Sequence, residues 1–180
     1  ISLELPIDQN HPLWALMMGM EHQRIHFETS SMLFRQLPTE KLEKPQGWQY
    51  APSQKVTNKN KMILVEGGTI KLGKSQDNPL YGWDCEYGDR MIKVESFFAS
   101  QYLITNADFL EFVNSKGYEN QAYWDEKSWK WKEENEVKNP KFWRLNKGEY
   151  SYRAMFDEIP LPLDWPVEVN YYEAVAYCRW

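Results

Sequence analysis

His11-Pro-Leu-Trp-Ala-Leu-Met-Met-Gly-Met-Glu-His-Gln-Arg-Ile-His-Phe-Glu-Thr-Ser-Ser-Met-Leu-Phe-Arg-Gln-Leu37 reads as one uninterrupted helix. Pro12 suits a first helical position, Asn10 or His11 can cap it, and no other proline follows until Pro38. The helix is therefore predicted over about residues 12 to 36. Its apolar residues, among them Leu13, Trp14, Leu16, Met17, Met20, Ile25, Phe27, Met32, Leu33 and Phe34, spread over more than one stripe. Such a helix is expected to be buried among several others, so a helix bundle is the natural setting.

His22 and His26 stand i and i+4 on this helix, so their imidazoles share one face and can hold a metal ion together. The other reading is a histidine pair bonded to backbone and carboxylates, and spacing alone leaves both open. A zinc-protease helix would carry Glu after the first histidine. Gln23 stands there instead, and an amide cannot take a proton from water. Glu28 lies about 200° round the wheel from His26, which suits an outer or structural role, such as pairing with Arg24. His11, the third histidine of the chain, falls roughly 16 Å along the same helix and cannot reach the same ion. A third protein ligand has to come from elsewhere, and Asp or Glu could serve.

The chain has 180 residues, 42% hydrophobic, with nine Trp, eleven Tyr and eight Phe, enough to build one or two real cores. A net charge of −5 without basic runs argues against nucleic acid or an anionic membrane as partner. No apolar run reaches 18 residues, and Cys85 and Cys178 give no disulfide framework, so a cytoplasmic protein with free thiols is expected. Cys85 reads as a small buried residue. The chain starts at Ile1 without Met and stops at Trp180 inside a helical pattern capped by Asn170 and Glu173. It reads as an internal piece of a longer protein, with room for a metal ligand upstream of residue 1.

Composition changes near Pro38. From there to about Asn60 the chain is rich in Pro, Lys, Gln, Ser and Thr, which predicts a linker ordered on a surface. Met62 to Glu66, the Gly67-Gly68 pair and Thr69 to Gly73 suggest a hairpin, and Arg90 to Phe98 a further strand. Thr105-Asn-Ala-Asp108 caps a helix with Phe109, Phe112 and Val113 on its apolar face, ending near Lys116-Gly117. Tyr118 to Tyr152 shows little periodicity and is expected to be irregular, pinned by Trp124, Trp129, Trp131 and Trp143. Tyr81, Tyr87, Tyr171 and Tyr172 read as core or interface residues.

Several segments, taken in order, resemble one family. Glu21-His-Gln-Arg-Ile-His-Phe-Glu-Thr-Ser-Ser31 and Arg35-Gln-Leu-Pro38 resemble the DinB-like helical domain of the sulfoxide synthases that make ovothiol and ergothioneine. The His-x3-His-x-Glu motif of that family is met at His22, His26 and Glu28. Val65-Glu-Gly-Gly-Thr69, Trp83-Asp-Cys-Glu-Tyr-Gly88, Thr105-Asn-Ala-Asp-Phe109 and Pro166-Val-Glu-Val-Asn-Tyr-Tyr-Glu-Ala174 are similar to the start of their second domain. That domain is related to the formylglycine-generating enzyme and has a C-type-lectin-like fold. The resemblance implies an α+β chain: residues 1–38 end a DinB-like helical bundle, 39–60 link, and 61–180 begin the formylglycine-generating-enzyme-like domain.

It also implies chemistry. Family members are non-haem Fe(II) enzymes that use O2 to join a cysteine sulfur to an imidazole carbon as a sulfoxide. Three histidines hold the iron; His22 and His26 match two, the third being expected upstream of residue 1, and Glu28 would lie in the outer shell. Ile25 before the second histidine, where bacterial ergothioneine enzymes usually carry Gln, points to the ovothiol branch. The expected substrates are then L-cysteine, L-histidine and O2, with 5-histidylcysteine sulfoxide as product. The piece by itself is expected to be inactive. Two alternatives stand beside this: an ergothioneine-type enzyme using hercynine, and a metal-dependent DinB-like thiol transferase needing no O2. A purely structural, lectin-like interaction module is a third.

Overall fold

The computed structural model describes Ile7, residues 10–54 and residues 60–180. The expectations that fall on residues 1–6, 8–9 and 55–59 lie outside it, including the first part of the helical domain and the end of the linker. The chain divides into two compact units, one made of residues 1–34 and 63–99, the other of residues 35–62 and 100–180.

The first unit opens with α1, Trp14–Phe34. Just before it, His11 Nδ1 accepts from the Leu13 amide at 3.0 Å. Ring packing of Trp14 on Tyr81, with centroids 4.5 Å apart, ties the helix to the loop 74–89. No residue of α1 is buried, and Phe27 is 73% exposed. Among the described residues this unit holds no second α-helix, so the expected bundle is not seen.

The strands of this unit nest rather than follow each other. β1 (Met62–Val65) pairs with β4 (Phe97–Ser100), while β2 (Gly68–Leu72) pairs antiparallel with β3 (Arg90–Val94), from Gly68 opposite Val94 to Leu72 opposite Arg90. The hairpin expected at Gly67-Gly68 is therefore absent. Gly67 is instead a point of close backbone approach: its amide donates to Ser96 Oγ at 2.9 Å, and a Cβ there would lie 2.7 Å from the Ser96 nitrogen and the Val94 oxygen. The single strand expected over Arg90 to Phe98 is broken at Glu95-Ser96 into β3 and β4. Cys85, expected to be buried, is exposed on a 3₁₀ turn, Asp84–Glu86.

In the second unit, α2 (Asn106–Asn114) starts at the expected Thr105 cap, whose side chain accepts from the Asp108 amide while Asp108 accepts in return. The stretch expected to be irregular is more ordered than its composition suggests. It contains α3 (Glu126–Glu134), capped by Asp125, and the strands β5 (Trp143–Asn146) and β6 (Glu149–Arg153). Lys147 and Gly148, at φ 51° and 88°, make the two-residue turn between them, the mirror-type turn that suits twisted hairpins. β7 (Glu158–Pro160) completes a three-stranded antiparallel sheet in the order β5, β6, β7. The last helix, α4 (Tyr171–Arg179), begins at the expected Asn170–Glu173 capping box.

The core of this unit gathers Phe109, Phe112, Tyr118, Trp124, Trp143, Tyr152, Ala154 and Ala176. Trp124 and Trp143 are fully inside it, and Trp129 and Trp131 pack around it, as expected of pins. Among the described residues no helix is long and apolar enough to cross a membrane. Phe109 is 1% exposed and touches rings from three other segments. Phe109→Ala is expected to destabilise this unit by about 3–5 kcal/mol, read from urea or thermal unfolding.

Candidate functional site

The i, i+4 spacing does what the sequence suggested. On α1 the rings of His22 and His26 lie 4.4 Å apart between centroids and meet edge to face. Both side chains are exposed. Two imidazoles on adjacent turns can supply two neighbouring coordination positions, and their nitrogen donors suit iron, zinc or copper alike. Among the described residues no three of His, Cys, Asp and Glu come together as a metal set. Glu28 is exposed; Arg24 pairs with Glu21 at 3.0 Å rather than with Glu28 as expected.

Tyr81 is half-buried against Trp14, and its hydroxyl is buried without a hydrogen-bond partner among the described residues. Burial, with Glu21, Glu86, Tyr87 and Asp84 nearby, pushes this phenol above its ordinary range. Tyr172 is half-buried against Trp131, but Tyr171 is 77% exposed, contrary to a core role.

The second unit carries two polar clusters, one buried and one partly exposed, that composition and spacing do not reveal. In the first, Glu173 is 3% exposed; one carboxylate oxygen accepts from the Tyr118 hydroxyl at 2.6 Å and the other from the Asn170 amide at 2.9 Å. Burial raises the Glu173 pKa, and the two hydrogen bonds oppose that rise. Burial pushes the Tyr118 phenol up as well, helped by the adjacent carboxylate. Glu173 also lines a cavity of about 670 Å³ bounded by Trp131, Val137, Pro140, Phe142 and Val169.

The second cluster is centred on Arg35. Its Nη1 donates to both carboxylate oxygens of Glu168 at 2.6 Å, and its Nη2 donates to the Arg153 carbonyl at 2.8 Å. The guanidinium lies over the Phe142 ring, 3.8 Å from its centroid. Tyr152, which also donates to Glu168, has its phenol pushed up to about 12, mainly by burial. Arg35 was visible in the sequence as part of Arg35-Gln-Leu-Pro38, but nothing local marks partners more than a hundred residues away.

The segment after Arg35 is fastened to the same unit along its length. Lys44 pairs with Asp157 at 2.8 Å, the Tyr50 hydroxyl donates to Asp157 at 3.0 Å, and Asp164 accepts from Ser53 Oγ and the Gln54 amide. The hydrogen bond from Lys44 holds the Asp157 carboxyl below the usual carboxylate range, and that from Ser53 does the same for Asp164. Residues 35–54 therefore belong to the second unit.

Residues 48–180 match the family model described as the sulfatase-modifying factor enzyme 1-like domain. Among curated proteins, the hercynine oxygenase of Mycolicibacterium smegmatis is 30% identical over 120 residues, covering 66% of this chain and 27% of that protein. The ergothioneine biosynthesis protein 1 of Schizosaccharomyces pombe is 24% identical over an alignment covering 98% of this chain and 24% of its own length. A formylglycine-generating enzyme of Mus musculus is 37% identical over 62 residues, 34% of this chain and 16% of that protein. The chain spans about a quarter of the length of the first two.

The raised Glu173 pKa has a consequence for stability. The folded state holds this proton more tightly than the unfolded chain, so the benefit is complete below the ordinary glutamate range and is lost as pH rises through the folded pKa above it. Thermal melts at stepped pH are expected to show wild type losing stability across that window. In Glu173→Gln this part of the slope is expected to vanish.

Proposed function

The chain belongs to the sulfatase-modifying factor enzyme 1-like domain family, and from that premise we propose that it is part of a non-haem Fe(II), O2-dependent sulfoxide synthase of the ovothiol type. The observation that carries the reading is the His22–His26 pair, set edge to face at 4.4 Å on a helix that precedes the family domain. Relatives named hercynine oxygenase and ergothioneine biosynthesis protein 1 support a sulfoxide-forming activity over a plain interaction module. In this arrangement residues 1–38 supply the iron-binding helix, 39–60 connect, and 61–180 form the first part of the formylglycine-generating-enzyme-like domain. The setting is cytoplasmic.

His22 and His26 fit two positions of a three-nitrogen set, with a third histidine upstream of residue 1 and Glu28 in the outer shell. Bound Fe(II) would supply O2 activation next to a coordinated thiolate, and three protein ligands leave positions open for that. The overall reaction balances as thiol plus imidazole C–H plus O2 giving sulfoxide plus water. The chain's own contribution is to hold two imidazoles one turn apart on one face of a helix. His11, the chain's other histidine, is not part of this set: it lies roughly 16 Å along from the pair, and its Nδ1 accepts from the Leu13 amide.

The substrates of the ovothiol reading are L-cysteine and L-histidine. Ile25 before His26 supports it by resemblance to that branch. The names of the relatives favour a second reading, in which hercynine replaces histidine as the imidazole substrate.

The test is an anaerobic preparation of the full-length protein, loaded with Fe(II) and mixed with L-cysteine, L-histidine and O2, with sulfoxide read by mass spectrometry. Wild type is expected to form 5-histidylcysteine sulfoxide, and His22→Ala and His26→Ala to lose at least about 10²-fold in rate together with tight iron binding. Turnover of hercynine but not histidine moves the protein to the second reading. Product formed without O2 overturns both.

A further inference from the structure

Arg35, Lys141, Arg144 and Arg153 line one cavity of about 500 Å³, whose wall is completed by residues 36–40, Phe142 and Glu158. All of these residues belong to the second unit, and none comes from the histidine helix. Arg35 is balanced by Glu168. Arg153 is not balanced in this way. It is 4% exposed, and its guanidinium is held by carbonyls alone: Nη1 donates to Ala154 and, at 2.9 Å, to Met155, and Nη2 donates to Leu37 at 2.8 Å. Glu158 stands opposite Arg153 in the β6–β7 register, yet its carboxylate accepts from Ser151 Oγ at 3.5 Å and makes no ion pair with Arg153 among the described residues. Asp157, which feels the Arg153 charge, is bonded to Lys44 and Tyr50 instead.

A buried guanidinium held only by neutral dipoles carries a desolvation cost that an anion beside it would offset. The cavity has further donors for such an anion. Arg144 is exposed, and its bonds run from Nη1 to the carbonyls of Lys141 at 2.7 Å and Trp143 at 3.1 Å, which leaves Nη2 and Nε to donate elsewhere. The exposed Lys141 ammonium donates to Gln36 Oε1 at 3.1 Å and has two more protons to offer. These three cations outnumber the two carboxylates of the wall, Glu40 and Glu158, both of which are exposed. The volume falls in the range of small-molecule sites. We propose that this cavity binds a small molecule through an oxyanion, carboxylate or phosphate, which takes its hydrogen bonds from the forked guanidiniums of Arg153 and Arg144 and from the Lys141 ammonium.

The test titrates the full-length protein with inorganic phosphate and with succinate at constant ionic strength, with chloride as the reference, and reads heat and melting temperature. Wild type is expected to bind at least one of the two oxyanions saturably and to melt higher as the site fills, and to do neither with chloride. Arg144→Ala and Lys141→Ala are each expected to weaken binding about 10-fold, and Arg144→Glu to abolish it. Glu158→Gln removes a repelling charge and is expected to tighten binding about twofold. Lys127→Ala, on α3 and outside the cavity, is expected to leave binding unchanged. Tighter binding of phosphate than of succinate assigns the site to phosphorylated ligands, and the reverse order to carboxylates.

Absence of saturable binding for both oxyanions overturns the proposal. So does a rise in melting temperature that persists undiminished in Lys141→Ala and Arg144→Glu, since that is general stabilisation by salt. Arg153→Gln is expected to lose binding as well; should this buried substitution fail to fold, Arg144→Glu decides, because its side chain is exposed and the unliganded variant is expected to melt close to wild type.

Discussion

Phe109 and Phe112, one turn apart on α2, meet at 5.2 Å between ring centroids, and the rest of the second unit is fastened around that contact. Trp143 of β5 and Tyr177 of α4 pack on Phe109; Tyr118, Tyr123 and Trp180 pack on Phe112. Helices, sheet and loop therefore share one aromatic junction rather than packing in pairs. Edge-to-face and tilted geometries let rings of different size fill it without voids, and each large ring removes much apolar surface from water. The polar clusters are arranged round this junction. Tyr118 belongs to the aromatic core and at the same time donates to Glu173, and Tyr152 belongs to it while donating to Glu168.

The features legible in the sequence were those decided by neighbours along the chain. The caps Thr105–Asp108 and Asn170–Glu173 are three-residue patterns, and both close as capping boxes. The helix carrying His22 and His26 followed from proline spacing and is shorter than expected by about two residues at each end. The Gly67-Gly68 junction misled because a hairpin and a close crossing both call for glycine, and only the distant Val94–Ser96 segment decides between them. α3 is hard to read because Trp129 and Trp131 stand two apart, a strand-like spacing, and its one local mark is the Asp125–Ser128 cap. Cys85 read as buried from residue type alone, yet a short 3₁₀ turn places it outside.

The candidate site divides the same way. A histidine pair at i, i+4 is a local pattern, and its rings do meet on one helix face; the Arg35 cluster joins residues 118 and 133 positions apart and left no periodic trace. Conversely, the chemistry proposed for the pair needs very little of the chain itself: two exposed imidazoles on one face of a helix whose apolar surface is largely open. What the second unit contributes is rigidity. Its core is dense, Asp164, Glu168 and Glu173 accept hydrogen bonds on both carboxylate oxygens, and the connecting segment is stitched to it at residues that include Arg35, Leu37, Lys44, Tyr50, Ser53 and Gln54.

That stitching has a temporal side. Every acceptor that holds residues 35–54, namely Arg153, Asp157, Asp164 and Glu168, is encoded more than a hundred residues after the segment it holds. On a ribosome adding about 5–20 residues per second, the segment waits roughly 5–25 s for its partners to be made. Throughout that interval the apolar helix before it is tethered to a strip of chain with nothing to lie on. The segment can therefore dock only after the residues that accept its hydrogen bonds have been made.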